Sequence, residues 1–418
     1  METLAQDLKA AVQTLTEDTR FCHALASVKD RLPETIRDQK ELTLIEAPTG
    51  HEEKKARRYM QMLEEAGLTD VVMDEHFNVF GKVAGSANSG KSVLLEGHLD
   101  TVFSFGEVKE IREDEEGRLH CPGICDDTRA LAANLAVLRA LKDAGLKPVH
   151  DIYFAGTVRE EGLGGMQGMA WVLDELKEKT ELLATLSIDG PSGETFYANA
   201  TGIVDWEVTF EGPGGHAWTA CERPSAIHAA ALAIAEMTKI KVPTDPKTTF
   251  TVSLIEGGQA IHGIAQKATF KINARSNSQE ELNRLDDEFI RAFEAGAEAE
   301  NPKDSCSGRI SVTYRKILDV PAGSQPDNAR IIQLTKLATL AVGREPNFLP
   351  GGCTNTNMAI ARNIPAVTLG RGGEEYGTHT LNEWFNPKDV FCCEQKSLIL
   401  LGVIAGIEGT LKPLGETL

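Results

Sequence analysis

Strand-like and helical segments alternate along residues 78–190 of this 418-residue chain. The strand-like segments are short apolar runs bounded by turn residues, and the helical segments repeat apolar residues at helical spacing. In chain order they are NVFGKVAG, KSVLLEGHLDTV, the helix DDTRALAANLAVLRALKDAGL, HDIYFAGTV, the helix MQGMAWVLDELKEK and LLATLSIDG. This order predicts an α/β fold in which helices cover both faces of a sheet.

The sequence pattern changes after about residue 199. TGIVDWEVTFEG, TTFTVSLIEGG and KATFKINARS alternate apolar and polar residues as antiparallel strands do, and two long helical segments lie among them. We therefore predict a smaller α+β domain inserted at residues 200–315. Helix–strand order then resumes, so residues 1–199 and 316–418 are predicted to form the first domain. A chain of this length agrees with two domains.

The composition excludes several classes of protein. A formal net charge of −19 argues against a nucleic-acid partner, whose phosphates require a basic surface, and against anionic membranes. The longest apolar run, LILLGVIAGI, is too short to span a bilayer. The first residues lack the apolar core of a signal peptide, so we expect a cytoplasmic protein with reduced thiols. Cys121 and Cys125 lack a second pair at zinc-ribbon spacing, which favours ordinary thiols.

Acidic and imidazole side chains stand where the strand-like segments end. His98 and Asp100, in GHLDTV, are two residues apart and would share one face of an extended segment. Asp126 and Asp127 stand where a loop enters a helix. Helix capping would explain one of these aspartates, and the helix dipole alone would favour the second.

Two further segments add charged groups at strand ends. Glu160 and Glu161 are adjacent in TVREEGLGGMQG, and because like charges repel, the pair is either solvated or held by a cation. Asp189 ends LLATLSIDG, and His379 follows IPAVTLG. Ligands bind at strand ends of open α/β sheets, and these donors suit zinc or a similar divalent metal. So many carboxylates suit two metals with one bridging carboxylate.

The order of these motifs resembles the M20 metallopeptidases, a family of co-catalytic zinc peptidases and amidohydrolases. The motifs are H-x-D, D-D, E-E, an aspartate at a strand end and a late H-T-x-x-E, and the likeness also covers GPGGHAW and GGCTNTN. It implies a three-layer α/β/α catalytic domain with an inserted lid and dimerisation domain. It also implies a homodimer and a small peptide substrate.

The resemblance implies two divalent metal ions, most readily Zn²⁺, with Co²⁺ or Mn²⁺ as alternatives. His98 and Asp189 would bind one ion, and Glu161 and His379 would bind the other. Asp126 would bridge the two ions, and the family's peptide bond between the two adjacent aspartates is cis.

The resemblance also implies catalytic roles. Glu160 would be the general base, and Asp100 would orient the histidine two residues before it. His216, in GPGGHAW, would stabilise the oxyanion in the site of the partner subunit. From its sequence context alone, this residue is an ordinary surface histidine in a glycine turn.

Three residues are candidates for binding the substrate. His262 stands where the family often has asparagine, and Asn355 stands where it usually has aspartate. Arg275, in NARS, would either meet a substrate carboxylate or form a structural salt bridge.

Aspartate at position 189 is typical of the family's peptidases that need a free amino terminus, so we predict an aminopeptidase or dipeptidase resembling the tripeptidases. The alternatives are a deacylase of N-acyl amino acids and a non-catalytic peptide-binding relative, although no ligand or base is missing here. A dinucleotide-binding loop at GLGGMQG is disfavoured because Gln167 occupies the position of the third glycine.

Overall fold

The computed structural model describes residues 5–191, 193–301 and 308–418. The chain forms two compact units: one comprises residues up to Ala200 together with Ser324–Leu418, and the other comprises Thr201–Gly323. The first junction lies within two residues of the predicted one. The second lies beyond the predicted residue 315, because that position falls inside a strand, Ser311–Val320, that pairs with Gly202–Glu211.

The helices follow the segments in which apolar residues recur at helical spacing. In chain order they are α1 Gln6–Glu17, α2 Thr19–Asp30, α3 Leu32–Thr43, α4 Glu53–Glu65, α5 Thr128–Asp143, α6 Gln167–Leu176, α7 Ala226–Met237, α8 Gln279–Glu300, α9 Arg330–Ala341, α10 Thr356–Ile360 and α11 Cys392–Ala405. Within the described ranges, none of these helices is long and apolar enough to cross a membrane.

The strands include every strand-like segment of the sequence and several short ones that its periodicity did not reveal. In chain order they are β1 Thr69–Met73, β2 Val79–Val83, β3 Lys91–His98, β4 Arg112–Glu113, β5 Leu119–His120, β6 Asp151–Thr157, β7 Glu181–Gly190, β8 Thr195–Tyr197, β9 Gly202–Glu211, β10 Gly215–His216, β11 Thr248–Gly257, β12 Gly263–Ile264, β13 Lys267–Ser276, β14 Ser311–Val320, β15 Asn347–Leu349, β16 Ala366–Gly370, β17 Glu374–Tyr376 and β18 Trp384–Asn386.

A mixed sheet forms the centre of the first unit, with the strand order β1-β2-β6-β3-β7-β16-β8-β15. Its four central strands, β6, β3, β7 and β16, run parallel to one another. Their carboxyl ends therefore meet at one edge of the sheet, where open α/β sheets bind their ligands.

Apolar residues on both faces of the central strands explain the layered packing. Val93, Leu94 and Leu95 of β3 are completely buried, as expected for a parallel strand covered on both faces. Helices α5 and α11 pack against β3, and the apolar run LILLGVIAGI begins in the buried second half of α11 and ends just beyond the helix. Helices α6 and α10 pack on each other and against β6 and β16. The predicted three-layer α/β/α architecture is confirmed.

The second unit has an antiparallel sheet with the strand order β11-β13-β9-β14. Helices α7 and α8 pack against each other and against β9 and β13, around a core that includes Phe210, Phe270, Phe289 and Phe293. Strand β11 is an edge strand of this sheet, and most of its residues are exposed.

Candidate active site

The four parallel strands each bring a charged side chain to the same edge of the sheet. His98 is the last residue of β3, and Asp189 is the next-to-last residue of β7. Glu160 and Glu161 follow β6 within four residues, and Arg371 directly follows β16. Strand order and parallel direction thus bring together groups that are far apart in the sequence.

The loop before α5 supplies the central carboxylate. The peptide bond between Asp126 and Asp127 is cis, as the motif resemblance implied. Asp127 occupies the N-cap position of α5 but makes no capping hydrogen bond. Its Oδ2 instead accepts the backbone N–H of His98 at 3.0 Å, which ties the helix start to the end of β3. Helix capping is therefore not the role of this aspartate.

Asp126 stands between two histidines, and each of its carboxylate oxygens faces one of them. Oδ1 lies 3.1 Å from Nε2 of His98, and Oδ2 lies 3.1 Å from Nε2 of His379. Nε2 of His379 also lies 2.9 Å from Oε1 of Glu161, and Nε2 of His98 lies 4.0 Å from Oδ1 of Asp189. These distances define two adjacent sets of donor atoms that share one carboxylate.

Asp100 positions both His98 and the glutamate pair. Its backbone oxygen lies 3.0 Å from Nδ1 of His98, and its carboxylate Oδ1 lies 3.5 Å from the same nitrogen. The carboxylate also accepts the backbone N–H groups of Glu160 and Glu161, each at 3.0 Å, and the hydroxyl of Thr49 at 2.9 Å. A histidine that ligates a metal needs such a partner on its other ring nitrogen.

A cavity of about 410 Å³ opens onto these groups. Glu160 lines it and is 7% exposed, and its Oε2 lies 4.0 Å from Nε2 of His98. Tyr197, Cys353 and Thr378 also line the cavity. The side chain of His379 is half exposed, and this residue has a φ of 66°.

Acidic side chains outnumber basic ones in this buried cluster. Burial raises the pKa of Asp127, Glu160 and Asp189 well above their usual ranges, and neighbouring carboxylates add to this effect. Although burial opposes it, Arg371 and the two histidines hold the pKa of Asp126 well below its usual range. Hydrogen bonds to Asp126 and Glu161 raise the pKa of His379 to about 10.

The donor set suits divalent cations. Two groups of three residues each offer donor atoms that lie within 4.8 Å of one another: His98 with Asp127 and Asp189, and His98 with Asp126 and Glu161. The ligand sets implied by the motif resemblance differ from these groups, because they place Asp126 in both sets and Asp127 in neither. Within the described residues, the buried Oδ1 of Asp127 makes no hydrogen bond. Imidazole and carboxylate are ligands typical of zinc and similar ions, and an excess of buried negative charge is relieved by binding them.

Two charged residues at this edge, Arg371 and Glu375, were missed in the sequence, and Glu383, the last residue of the H-T-x-x-E motif, was given no role. Arg371 is 4% exposed, and its Nη1 lies 2.7 Å from Oδ1 of Asp126 and 3.1 Å from Oδ1 of Asp189. Its Nη2 lies 3.3 Å from Oε1 of Glu375. Glu383 accepts the backbone N–H groups of Gly123 and Cys125 and so holds the turn that carries Asp126. The position of Arg371 directly after IPAVTLG was a signal that could have revealed it.

The side chain of Asn355 does not line the cavity in which a substrate would bind. It is 1% exposed, and its Nδ2 donates to Oε2 of Glu96 at 2.8 Å and to the hydroxyl of Thr157 at 2.9 Å. Its neighbours Cys353 and Thr354 line the cavity, but the Asn355 side chain is directed into the core. We therefore correct its interpretation to that of a buried partner of Glu96.

The remaining predicted residues belong to the second unit. His216 is exposed on β10, which pairs with β12, and the backbone N–H of Ala217 donates to the backbone oxygen of His262 at 2.9 Å. His216 and His262 are therefore close neighbours. Arg275 is exposed on β13, apart from that pair. The functional roles of these three residues stay predictions. Cys121 and Cys125 are buried free thiols of the first unit, as expected.

Several solved structures share this fold. The chain is 25% identical to a tripeptidase from Staphylococcus aureus, with a TM-score of 0.74 over 89% of this chain and 98% of the other. It is 22% identical to the aminopeptidase PepT from Bacillus cereus, with a TM-score of 0.72 over 88% and 97%. A dinuclear metal-binding M20 peptidase from Bacillus subtilis is 13% identical, with a TM-score of 0.67 over 90% and 99%.

Sequence comparison shows the family. A probable carboxypeptidase from Aspergillus terreus is 23% identical over 259 residues, 56% of this chain and 59% of that protein. An uncharacterised hydrolase from Sinorhizobium fredii matches over 64% of its own length, so the chain spans about three fifths of these curated relatives. Residues 94–395, from the middle of β3 to the start of α11, match the profile of Peptidase family M20/M25/M40. The chain belongs to this peptidase family, as its motifs predicted.

Proposed function

We propose that the protein is a two-metal hydrolase that cleaves amide bonds of small peptides, acting as an aminopeptidase or dipeptidase. The observation that carries this proposal is the position of Asp126, whose two oxygens each lie 3.1 Å from a different histidine. A carboxylate in this position can bridge two ions. Membership of a peptidase family supports the same reaction.

Two divalent cations, most readily Zn²⁺, fit the donor atoms. His98, Asp126 and Asp189 would hold one ion, and Asp126, Glu161 and His379 would hold the other. Cations held there would supply Lewis-acid chemistry, by polarising an amide carbonyl and lowering the pKa of a water molecule to about 7. The Bacillus subtilis relative, a dinuclear metal-binding peptidase, supports this stoichiometry.

Glu160 is the residue that moves the proton. It lines the cavity beside the donor atoms, and its own carboxylate belongs to neither ligand set. Its backbone N–H donates to Asp100, which fixes the main chain from which the carboxylate reaches the cavity. Glu160 takes a proton from the attacking water and passes one to the amide nitrogen that leaves, as a general base and then a general acid.

A substrate with a free amino terminus is favoured over an N-acyl amino acid. The aspartate at position 189 is typical of the family's peptidases of that class, and two proteins that share the fold are described as an aminopeptidase and a tripeptidase. The runner-up is a deacylase of N-acyl amino acids, because the same cluster would attack any exposed amide carbonyl.

The second unit is proposed to act as the lid and to pair with a second copy of the chain. Strand β11 pairs with β13 on one side and, within the described residues, has no strand on the other. Leu254 and Ile255 on it are 62% and 58% exposed. Such an edge invites pairing with another chain. His216, also exposed in this unit, would then complete the site of the partner subunit by stabilising the oxyanion.

The test is a hydrolysis screen with metal-loaded protein. Dipeptides, tripeptides and their N-acetylated forms would be compared by kcat/KM, with and without a chelator. Free peptides should be cleaved in preference to N-acetylated ones, and the chelator should abolish the activity. Preference for N-acetylated substrates would favour the deacylase, and chelator-resistant hydrolysis together with no bound metal would exclude the two-metal reaction.

A further inference from the structure

Arg371 places a permanent positive charge among the carboxylates of the proposed metal site. Its Nη1 lies 2.7 Å from Oδ1 of Asp126 and 3.1 Å from Oδ1 of Asp189. These are the same two oxygens that approach Nε2 of His98, at 3.1 Å and 4.0 Å. The guanidinium therefore shares its oxygen partners with one of the two proposed metal positions.

The other proposed position uses different atoms. Oδ2 of Asp126 and Oε1 of Glu161 lie 3.1 Å and 2.9 Å from Nε2 of His379. In the part of the chain that the structure describes, the ion pairs of Arg371 are with Asp126, Asp127, Asp189 and Glu375, and Glu161 is not among them. The two metal positions are thus chemically unequal.

We propose that Arg371 is an internal competitor for one metal position. Its guanidinium neutralises Asp126 and Asp189 and weakens the binding of a divalent cation by His98 and these two aspartates. This inference rests on the proposed two-metal function and assigns a residue that controls its metal loading.

The physical reason is charge repulsion at short range in a buried site. Arg371 is 4% exposed, so water screens its charge poorly, and arginine keeps its proton at any pH at which proteins fold. A divalent cation that uses the same oxygens would lie within a few ångströms of the guanidinium. One of the two ions should therefore bind more weakly than the other.

Glu375 gives the guanidinium a second partner. Its Oε1 lies 3.3 Å from Nη2 of Arg371, and it stands on β17, outside both proposed ligand sets. Within the described residues, the Nε of Arg371 makes no hydrogen bond, so rotation toward Glu375 would break no bond there. Glu375 should therefore draw the guanidinium away from the aspartates and favour metal binding.

The experiment measures the stepwise affinities for Mn²⁺ and Zn²⁺ of chelator-stripped full-length protein, by calorimetry and by competition with a chromophoric chelator. Wild-type protein should show one tighter and one weaker step. Arg371→Gln should tighten the weaker step by at least about tenfold and lower the Tm of the stripped protein, because the two aspartates lose their partner. Glu375→Gln should change the same step in the opposite direction.

Arg37→Gln is the matched control, because Arg37 is 67% exposed and the chemical change is identical. Its affinities and Tm should equal those of wild type. Unchanged or weaker metal binding in folded Arg371→Gln would overturn the role of Arg371 while leaving the two-metal function intact. If that variant does not fold, Glu375→Gln decides: a weakened step supports the inference and an unchanged or tightened one overturns it. Absence of any metal binding by wild type would instead overturn the proposed function itself.

Discussion

Glu160 and Glu161 are adjacent in the sequence, yet the structure gives their side chains different surroundings. Oε1 of Glu161 lies 2.9 Å from Nε2 of His379, at hydrogen-bond distance and in a position to share a cation with it. Oε2 of Glu160 comes no closer than 4.0 Å to Nε2 of His98 and lines the cavity. We predict that the same substitution, Glu→Gln, has different consequences at the two positions.

The expected magnitudes follow from these two surroundings. Glu160→Gln removes proton transfer, which contributes about 10²–10⁴-fold in rate, or about 2.7–5.4 kcal/mol of transition-state stabilisation. Its KM should change little, and its metal content should remain close to that of wild type. Glu161→Gln removes a charged ligand oxygen. Its affinity for metal should fall by more than the roughly 10–100-fold that follows loss of a residue supporting a ligand.

The assay combines elemental analysis after dialysis, steady-state kinetics and thermal unfolding. Excess zinc should restore part of the activity of Glu161→Gln but none of that of Glu160→Gln. The matched control is Glu178→Gln at an exposed position, which should behave as wild type in all three measurements. If both active-site variants retain wild-type kcat and metal content, neither glutamate has the role proposed for it. If the two phenotypes are exchanged, the two-metal site stands and the roles assigned within the pair are wrong.

Four further predictions concern the surrounding structure. Asn355→Asp would place a second carboxylate 2.8 Å from buried Glu96, and it should lower the free energy of unfolding by at least about 2 kcal/mol in urea titrations. Adding Glu96→Gln should restore most of that free energy. If the effects of the two substitutions simply add, the pairing is contradicted. Glu383→Gln should lower the Tm, because the amide NH2 would face one of the two buried backbone N–H groups that the carboxylate accepts. It should also lower zinc affinity about 10–100-fold in chelator competition, because Glu383 positions the turn before α5; unchanged affinity would exclude this role. Ile255→Lys should convert a dimer to a monomer in sedimentation, and His216→Ala should lower kcat without changing metal content; a fully active monomeric wild type would refute both.

Local periodicity was sufficient to predict the central strands of the sheet, but not its short strands β1, β8 and β15. Strands β3 and β16 formed from KSVLLEGHLDTV and IPAVTLG, and helix α5 formed from DDTRALAANLAVLRALKDAGL. Burial of one or both faces of an element sets the spacing of its apolar residues, and this spacing is visible within a short stretch of sequence. The predicted junction at residue 315 was wrong because β14 continues to Val320. The segment RISVTYRKI was predicted as the closing strand of the second domain, but its continuation past Lys316 depends on pairing with β9, which periodicity does not reveal.

The sequence also determined which residue types end the central strands, and hence the family and a set of candidate ligands. It could not determine which partners those residues take. Glu383 holds the turn at Gly123 across 260 residues of sequence, and Arg371 meets Asp189 across 182. Asn355 was predicted to contact substrate, but it pairs instead with Glu96, 259 residues away. Contacts of this kind depend on strand order and direction, so only the tertiary structure decided which carboxylates face an arginine and which one holds the turn before α5.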